Sequence, residues 1–575
     1  MNTLFKTPLS EASPAFLQSN NEAYEWLVGK ISTMKRTKGE EALLSFVQKT
    51  AQFAVEYHTS RFADGAIENA AFEIGAKLDT DTVKKEEFSL PATHNQDSRR
   101  RVLHVVTGVL DIGGHTRMLC HWVSNDLSTC HSVVLTNQKD VPIPQWLSEA
   151  VRASGGKLVV LPPRSHLCQK ARWLREMARK GADLVVLHHF GSDVLPTVAF
   201  AVSECPPVAV LNHADHLFWL GSSVADMVIN LRTVGAQHTA ERRFVSCNYV
   251  IPVPLSYPEE KMSRSEARTA LGIEKDIVML LSIGRSEKYR SCGSYDFVAT
   301  ANKILERHPN AHLFVIGETA EGITPYLYCA IHEHLHFVGS MEDPSLYRVA
   351  ADVYMESFPF GSQTALLEAA LSGLPVVPAY APLFPLLVAN DDTVKDILPN
   401  PHDENAYIEC VDLLIRQPDQ RVAMGSILRE RLIIDHVGEG WLNLLTTMYH
   451  QTDRLTHNPH PIDKSPFHAT EADISLSLWH VMAGRTLAPR KLDDIEGATL
   501  CHTAFVAKIT GDYAMARRYA WRAVRHDPFQ LTLWRFLTIT LIGRTGKYIR
   551  QRLAQIKDSL GNFSYKKSEK HGHVS

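Results

Sequence analysis

The spacing of apolar residues changes character several times along the chain. Between residues 20 and 80, "EAYEWLVGKI" and "EEALLSFVQKTAQFAVEYH" repeat apolar positions at i, i+3 and i+4, the period of amphipathic helices. The polar stretch "KKEEFSLPATHNQDSRRR" then reads as a linker. From Arg101 the runs become short and continuously apolar: "RVLHVVTGVL", "HSVVLTN", "GKLVVLP", "ADLVVLHH" and "PVAVLNH", each followed by a helical stretch. Such alternation predicts a parallel sheet covered by helices on both faces. "NYVIPVPLSYPEE" (Asn248 to Glu260), with three prolines, reads as an interdomain linker. The alternation restarts with "DIVMLLSIG", "AHLFVIGE", "LHFVGS", "ADVYMESFP" and "LPVVPAY".

The expected architecture is therefore α/β, with two doubly wound, Rossmann-like units facing a cleft and helical extensions at both ends. The expected boundaries are 1–97 (helical region and linker), 98–254 (first unit), 255–455 (second unit) and 456–575 (helical). In the last region "GDYAMARRYAWRAVRHDP" spaces Gly511, Tyr513, Ala516, Ala520, Ala523 and Pro528 much as the second helix of a tetratricopeptide repeat does. "GKY" at Gly546 restarts that pattern. One and a half weak repeats suit a cap or a docking module, for a protein partner or for self-association, better than a solenoid. The tail "YKKSEKHGHVS" is polar and reads as disordered.

Composition narrows the function classes. With 45% hydrophobic and 21% charged residues the chain is an ordinary globular sequence. A net charge of −3 gives no global field toward nucleic acid. No apolar run reaches the roughly 18 residues of a spanning helix, which leaves only peripheral membrane contact open. The first residues lack a basic region followed by an apolar core, so no signal peptide is expected. Nine scattered cysteines without a CxxC pair suit reduced thiols in a cytoplasm.

Four stretches carry candidate chemistry. In "VLDIGGHTRML" a strand ends, Gly113 and Gly114 turn the chain, and a helix begins. The glycines let backbone amides approach an anion at the helix N-terminus; a plain strand–helix turn is the alternative. In "LSIGRSEKYR" the cations Arg285 and Lys288 follow a strand end and suit a diphosphate, or form a solvated basic turn. In "FPFGSQTALLEAALSGLPVVP" the loop Gly361, Ser362, Gln363 and Thr364 opens a helix whose amides and hydroxyls suit phosphate oxygens. Glu368 lies one turn deeper on the face of Thr364, where a carboxylate can accept from paired ribose hydroxyls. In "VLNHADHLFWLG" His213 and His216 follow a strand end, with Phe218 and Trp219 able to stack on a sugar. His213 is the candidate general base and His216 a candidate substrate contact; both could instead be bonded structural residues. Asp215 and "HHFGSD" (His188 to Asp193) are weaker candidates, and "HEHLH" (His332 to His336) reads as surface. No third ligand has useful spacing beside the HxxH pair, so no metal site is expected.

Together "GGHTR", "SIGRSEK" and "FPFGSQTALLEAALSGLPVV" resemble nucleotide-sugar glycosyltransferases of the two-Rossmann GT-B kind, nearest to the group 1, family 4 type, over roughly residues 101–455. The resemblance implies an activated sugar, a UDP-sugar foremost, bound mostly by the second unit. It implies an acceptor (a glycan, a lipid-linked glycan or a protein) held by the first, and no required metal or other cofactor. On it Gly114 falls in the glycine loop near the diphosphate, Arg285 and Lys288 form the phosphate pair, and Glu368 binds ribose. Retaining members carry a second glutamate eight positions before that one; here the position is Phe360, and Glu356 is out of register. "FPFGSQT" is nearer to the inverting bacterial protein glycosyltransferases and O-GlcNAc transferases. The rival readings are a sugar-nucleotide epimerase and, from another class, a non-catalytic scaffold on the same fold.

Overall fold

A computed structural model describes residues 6–78, 90, 98–110, 114–138, 141–258, 262–290, 295–324, 327, 329–358, 360–380, 391–483 and 495–542. Most of the expected linker 84–101, Gly113, the repeat restart at Gly546 and the polar tail lie outside the described residues. The chain divides into two compact units, Leu27–Gly484 and Met1–Trp26 with Arg485–Ser575.

In the larger unit the apolar runs form two sheets. The first holds β1 (Arg101–Val106), β2 (Cys130–Leu135), β3 (Leu158–Val160), β4 (Leu184–His188), β5 (Val208–Asn212), β6 (Met227–Asn230) and β7 (Asn248–Val250). Their order is β3-β2-β1-β4-β5-β6-β7, all parallel. The second holds β8 (Val278–Ile283), β9 (Ala311–Ile316), β10 (Leu335–Gly339), β11 (Val353–Met355) and β12 (Val376–Val377). Its order is β10-β9-β8-β11-β12, again all parallel. Strands buried on both faces read as unbroken Val, Ile and Leu runs, which is why no two-residue alternation marks them. Each sheet reverses its winding once, between β1 and β4 and between β8 and β11. Crevices for ligands open there, beyond the carboxyl ends of the strands. This is the expected GT-B architecture.

The proline-rich stretch is not linker throughout. Asn248–Val250 pair with β6 as the seventh strand, and the connection proper begins after them. Val250 precedes no ladder-breaking proline inside the pairing, since Pro252 comes two residues later. The second sheet's half then starts cleanly. Ser263 and Glu266 form a capping box on the helix Arg264–Leu271, which Gly272 closes at φ +67°.

The helices α1 (Lys6–Thr37), α2 (Glu40–Glu56) and α3 (Gly65–Lys77) precede the first sheet, as the 3.6 period predicts. α2 buries Leu43, Leu44, Val47, Ala51 and Ala54 on one face. α4 (Gly114–Asn125) follows β1. One apolar core runs from Val102 and Trp122 in the first half through Leu281 and Leu367 to Trp441 and Met448 in the second. The helix Gly438–Thr452 returns to the first half: Trp122 Nε1 donates to Tyr449 Oη at 3.1 Å, and Tyr449 Oη donates to Asp126 at 2.9 Å. Past it, Gly65 N donates to Asp463 O and Ile462 N to Asn69, so the segment that follows this helix is tied against α3.

In the smaller unit the helices Ile495–Thr510 and Tyr513–His526 and a helix over 531–542 enclose Leu500, Ala504, Ala520, Val524 and Leu537. His502 Nε2 bonds Asn20 Oδ1 at 2.8 Å and its ring meets Phe16 edge-on. Gly511 turns between the first two helices at φ +88°.

Candidate functional site

β1 leads to the loop before α4. Thr116 Oγ1 accepts from Leu110 N at 3.1 Å, folding that loop back on the helix. Gly114 is the first helical residue, and a Cβ placed on it would stand 2.8 Å from Thr364 Oγ1 and 3.3 Å from Thr364 Cβ. A methyl group there would force Thr364 to shift, and that neighbour comes from the other sheet's half. The first turn of α4 and that of the helix Gln363–Leu371 therefore meet, with orphan amides at both.

Beyond β8, Gly284 is similarly confined: its Cβ would lie 2.9 Å from Ser362 Oγ. Lys288 Nζ, half-buried, donates to Gly361 O at 2.7 Å and to Ser362 Oγ at 2.9 Å. It also sits 4.9 Å from the centre of the Phe360 ring. Arg285 is exposed at the start of the short turn that carries Lys288.

Beyond β11 the loop is organised by Glu356, a residue fully withdrawn from solvent. Its Oε1 accepts from Ser357 N and Ser362 N, both at 2.8 Å, while Oε2 has no hydrogen-bond partner among the described residues. Burial raises its pKa, against the opposing pull of Lys288 and the two amides. Ser357 Oγ donates to Phe360 O at 3.0 Å and completes the turn. The loop that reads as a phosphate cradle is thus shaped from beneath by a buried carboxylate and gripped from the side by a lysine.

Glu368 stands one turn along, largely covered. Arg348 Nη1 donates to its Oε2 at 2.8 Å, and Arg117 Nη1 on α4 is 4.0 Å from its Oε1. A carboxylate has more lone pairs than these contacts use, so acceptor capacity remains. Gln363 Nε2 points to Asp391 Oδ2 at 3.4 Å.

Across the cleft His213 and His216 follow β5. The His216 ring lies 4.9 Å from the Phe360 ring, and Lys288 contributes to lowering its pKa after burial, the larger cause. Asp215 beside it accepts from Arg232 Nε at 2.8 Å and Nη2 at 3.0 Å, so that carboxylate is committed to structure. His216, Phe360 and Lys288 therefore converge from the two halves.

His213 Nδ1 lies 3.3 Å from Leu211 O, a bond in which the ring nitrogen donates, leaving Nε2 as the basic atom. Its ring is 4.3 Å from that of His115, and burial first, then His115, holds its pKa well below the ordinary value. Behind it runs a row of imidazoles on neighbouring strands. His131 (β2), His104 (β1) and His188 (β4) are joined by two contacts of 2.9 Å, and His131 Nε2 is 3.2 Å from Asp126 Oδ2. Burial opposes ionisation of Asp126, but His131 and Ser128 hold its carboxyl down at about 2. With Asp126 ionised, each histidine donates toward it in turn, and His188 Nδ1 is left without a partner among the described residues.

The structure brings Gly114, Lys288, Gly361, Ser362, Thr364 and Glu368 to one junction and His213 and His216 to the facing wall. Arg285 stays at the rim, and Gly113 is outside the described residues. "HEHLH" is half-buried rather than surface: His312 Nδ1 meets His336 Nε2 at 3.0 Å. Glu356, Arg348 and Arg117 were not among the expected site residues. Glu356 carried a usable signal, an acidic residue at the end of an apolar run before a glycine loop. Arg348 and Arg117 carried none, because only the tertiary fold sets them beside Glu368. Among the described residues no group of three His, Cys, Asp or Glu could hold a metal ion.

Residues 278–417 match the family described as Glycosyl transferases group 1. Among curated proteins the chain is similar to the D-inositol 3-phosphate glycosyltransferases of Corynebacterium glutamicum (strain R), 25% identical over 186 residues, 30% of this chain and 44% of that protein. That of Corynebacterium kroppenstedtii is 26% identical over 182 residues, 29% and 40%. The chain spans less than half the length of these relatives. Among solved structures it is similar to Anabaena HepE in complex with UDP and glucose (14% identity, TM-score 0.48, 62% of this chain and 100% of that one). It is also similar to a Thermobaculum terrenum O-GlcNAc transferase (14%, TM-score 0.43, 76% and 82%). The match to the group 1 glycosyltransferase family thus falls on residues 278–417, the span that holds β8 to β12 of the second sheet.

Proposed function

We propose that the protein transfers a sugar from a nucleotide-diphosphate sugar, a UDP-sugar foremost, to an acceptor hydroxyl or amide. The observation that carries this reading is the junction of Gly114 with Thr364 beside Lys288. Two helix starts and a lysine converge there, at the mouth of both strand-reversal crevices. The diphosphate takes the amides ahead of the Thr364 helix, with Lys288 and the exposed Arg285 as its cations. The ribose hydroxyls donate to Glu368, whose carboxylate Arg348 holds in place.

In the reaction the bond between the sugar's anomeric carbon and the phosphate oxygen breaks, and a bond from the acceptor heteroatom forms. The acceptor proton goes to His213 Nε2, and the nucleoside diphosphate leaves with both electrons of the broken bond. Preorganised donors that meet charge as it develops are the largest catalytic contribution of this kind of site. The reading needs no metal and places the chain in a reducing cytoplasm, with its helical ends free to contact a partner.

A second reading, a GT-B scaffold without turnover, is favoured by Phe360, whose ring stands between Lys288 and His216 where a donor-facing carboxylate would be expected. One assay separates the two. UDP-glucose and UDP-N-acetylglucosamine are offered with mixed acceptors, and UDP release is followed together with thermal shift. Binding with UDP release supports transfer, binding without release supports the scaffold, and the absence of any shift with nucleotides overturns both.

A further inference from the structure

α2 lies outside the two Rossmann-like halves, yet part of its polar face is half-buried: Glu41, Ser45 and Gln48 are partly covered while Gln52 is exposed. Glu41, Ser45, Gln48 and Gln52, spaced as one helical face, line a cavity of about 700 Å³. The opposite wall is the carboxyl ends of β1, β2 and β4. A volume in the range of ~300–1,000 Å³ encloses a drug-sized ligand.

Three of the four charged side chains that line this cavity are already engaged. Glu41 Oε1 accepts from Leu167 N at 2.7 Å. Asp193 accepts from Thr136 at 2.6 Å, Thr107 at 2.8 Å and Leu195 N at 3.0 Å. Lys170 Nζ donates to Thr136 O at 3.0 Å. Lys49 is exposed at the rim. Inside that rim, what remains uncommitted among the described residues is neutral: the side chains of Ser45, Gln48, Asn137 and Ser165 bond no protein group. Hydroxyls and amides both donate and accept, as sugar hydroxyls do. Phe190, 46% exposed, offers its ring to the same space. Among the described residues a phosphate or carboxylate held deep in the cavity would meet only Lys170, already bonded to Thr136 O, since Lys49 stands at the exposed rim. A peptide in extended form would find strand ends rather than an open strand edge to pair with.

A smaller cavity, about 200 Å³, shares Gln52, Phe190 and Ser192 with the large one and ends at His213 and Trp219. We propose that the cavity between α2 and the ends of β1, β2 and β4 is a glycan site: it holds the uncharged end of an oligosaccharide acceptor, stacked on Phe190, and points its terminal hydroxyl through the smaller cavity to His213. This rests on the glycosyl-transfer reading above. α2 acts as an acceptor-selecting element added to the fold, and Ser45, Gln48 and Asn137 determine specificity.

The test uses the full chain and saturation-transfer NMR with maltotriose, chitotriose and mannotriose at millimolar concentration. At least one trisaccharide should give transfer. Ser45→Trp, which fills the cavity, and Phe190→Ala, which removes the platform, should each weaken it at least tenfold, with melting curves that remain cooperative. Gln48→Ala, on the polar face of α2, should weaken it several-fold and so guards against a misfolded pair. Transfer to none of the three, or equal transfer in all variants, overturns the site. So does transfer only to a hexapeptide or to a phosphate-headed lipid in micelles. UDP is titrated in parallel. UDP binding without trisaccharide binding sinks this inference alone; trisaccharide binding at α2 without UDP binding sinks the donor reading and leaves the glycan site standing.

Discussion

Gly114 and Thr364 touch across the two halves of the molecule, so closely that a methyl group on Gly114 would stand 2.8 Å from Thr364 Oγ1 unless the threonine shifted. The contact fixes how near the first turn of α4 stands to the loop Gly361–Thr364. Gly114→Ala should push that loop or α4 aside at a cost of about 1–3 kcal/mol. Calorimetry with UDP should read this as roughly tenfold weaker binding. Thr364→Ala removes the atom at 2.8 Å, so the double variant should recover part of the loss. Strict additivity of the two changes would show that the contact does not position the loop.

Lys288 and Glu356 hold the same loop by different means, one through Gly361 O and Ser362 Oγ, the other through the amides of Ser357 and Ser362. Lys288→Ala should therefore cost stability as well as UDP affinity, with charged hydrogen bonds worth about 1.5–3 kcal/mol. Glu356→Gln keeps one acceptor oxygen for the two amides and should melt within a few degrees of the parent. Equal melting temperatures for Lys288→Ala and the parent would remove the lysine from the loop's support. Added chelator should leave UDP release unchanged, because the proposed phosphate contacts are side chains and amides.

The histidine row makes a prediction about acid. Burial lowers the pKa of His104 and His188 well below the usual value, and that of His115 to about 3. A native pKa below the unfolded one means that the unfolded chain takes up the protons. Their contribution to stability is complete above the unfolded value of about 6.5 and is lost as pH falls toward the native values. Three such groups steepen the loss by up to ~4 kcal/mol per pH unit between about 6 and 4. His115→Asn should make that slope shallower by about 1.4 kcal/mol per pH unit. Denaturant unfolding at a series of pH values measures it, and an unchanged slope would mean that His115 is protonated in the native state.

The alternating apolar runs made both sheets legible, because strands buried on two faces leave continuous Val, Ile and Leu signatures. The short edge pairing of β7 was hidden by the prolines that follow it. The positions of Gly114, Lys288 and Thr364 were legible as loop chemistry at strand ends. Their mutual contact was not, since it depends on how two halves close. Glu356 was visible as a residue and was set aside for its register. Its role follows from burial, a quantity that composition and spacing do not carry. The cavity beside α2 was illegible for a similar reason: Ser45, Gln48 and Gln52 read as the solvent face of an amphipathic helix until the sheet ends are set opposite them.

His213 tests the chemistry itself. Phe360 supplies no carboxylate near the donor sugar, so direct displacement requires a base on the acceptor side. His213 lines the small cavity on that side, with Nδ1 against Leu211 O and Nε2 left basic. His213→Ala should lower turnover by about 10²–10⁴ while UDP affinity stays within twofold of the parent. Because burial and His115 lower its pKa, the imidazole stays neutral below pH 6.5, and the acid limb of the rate profile should fall at a lower pH than an ordinary histidine would give. His115→Asn removes one of the groups that depress it, so in that variant the limb should move toward higher pH. The product should carry the anomeric configuration opposite to that of the donor, read from its proton couplings. A retained anomer, or an acid limb that ignores His115, would assign the base to another residue.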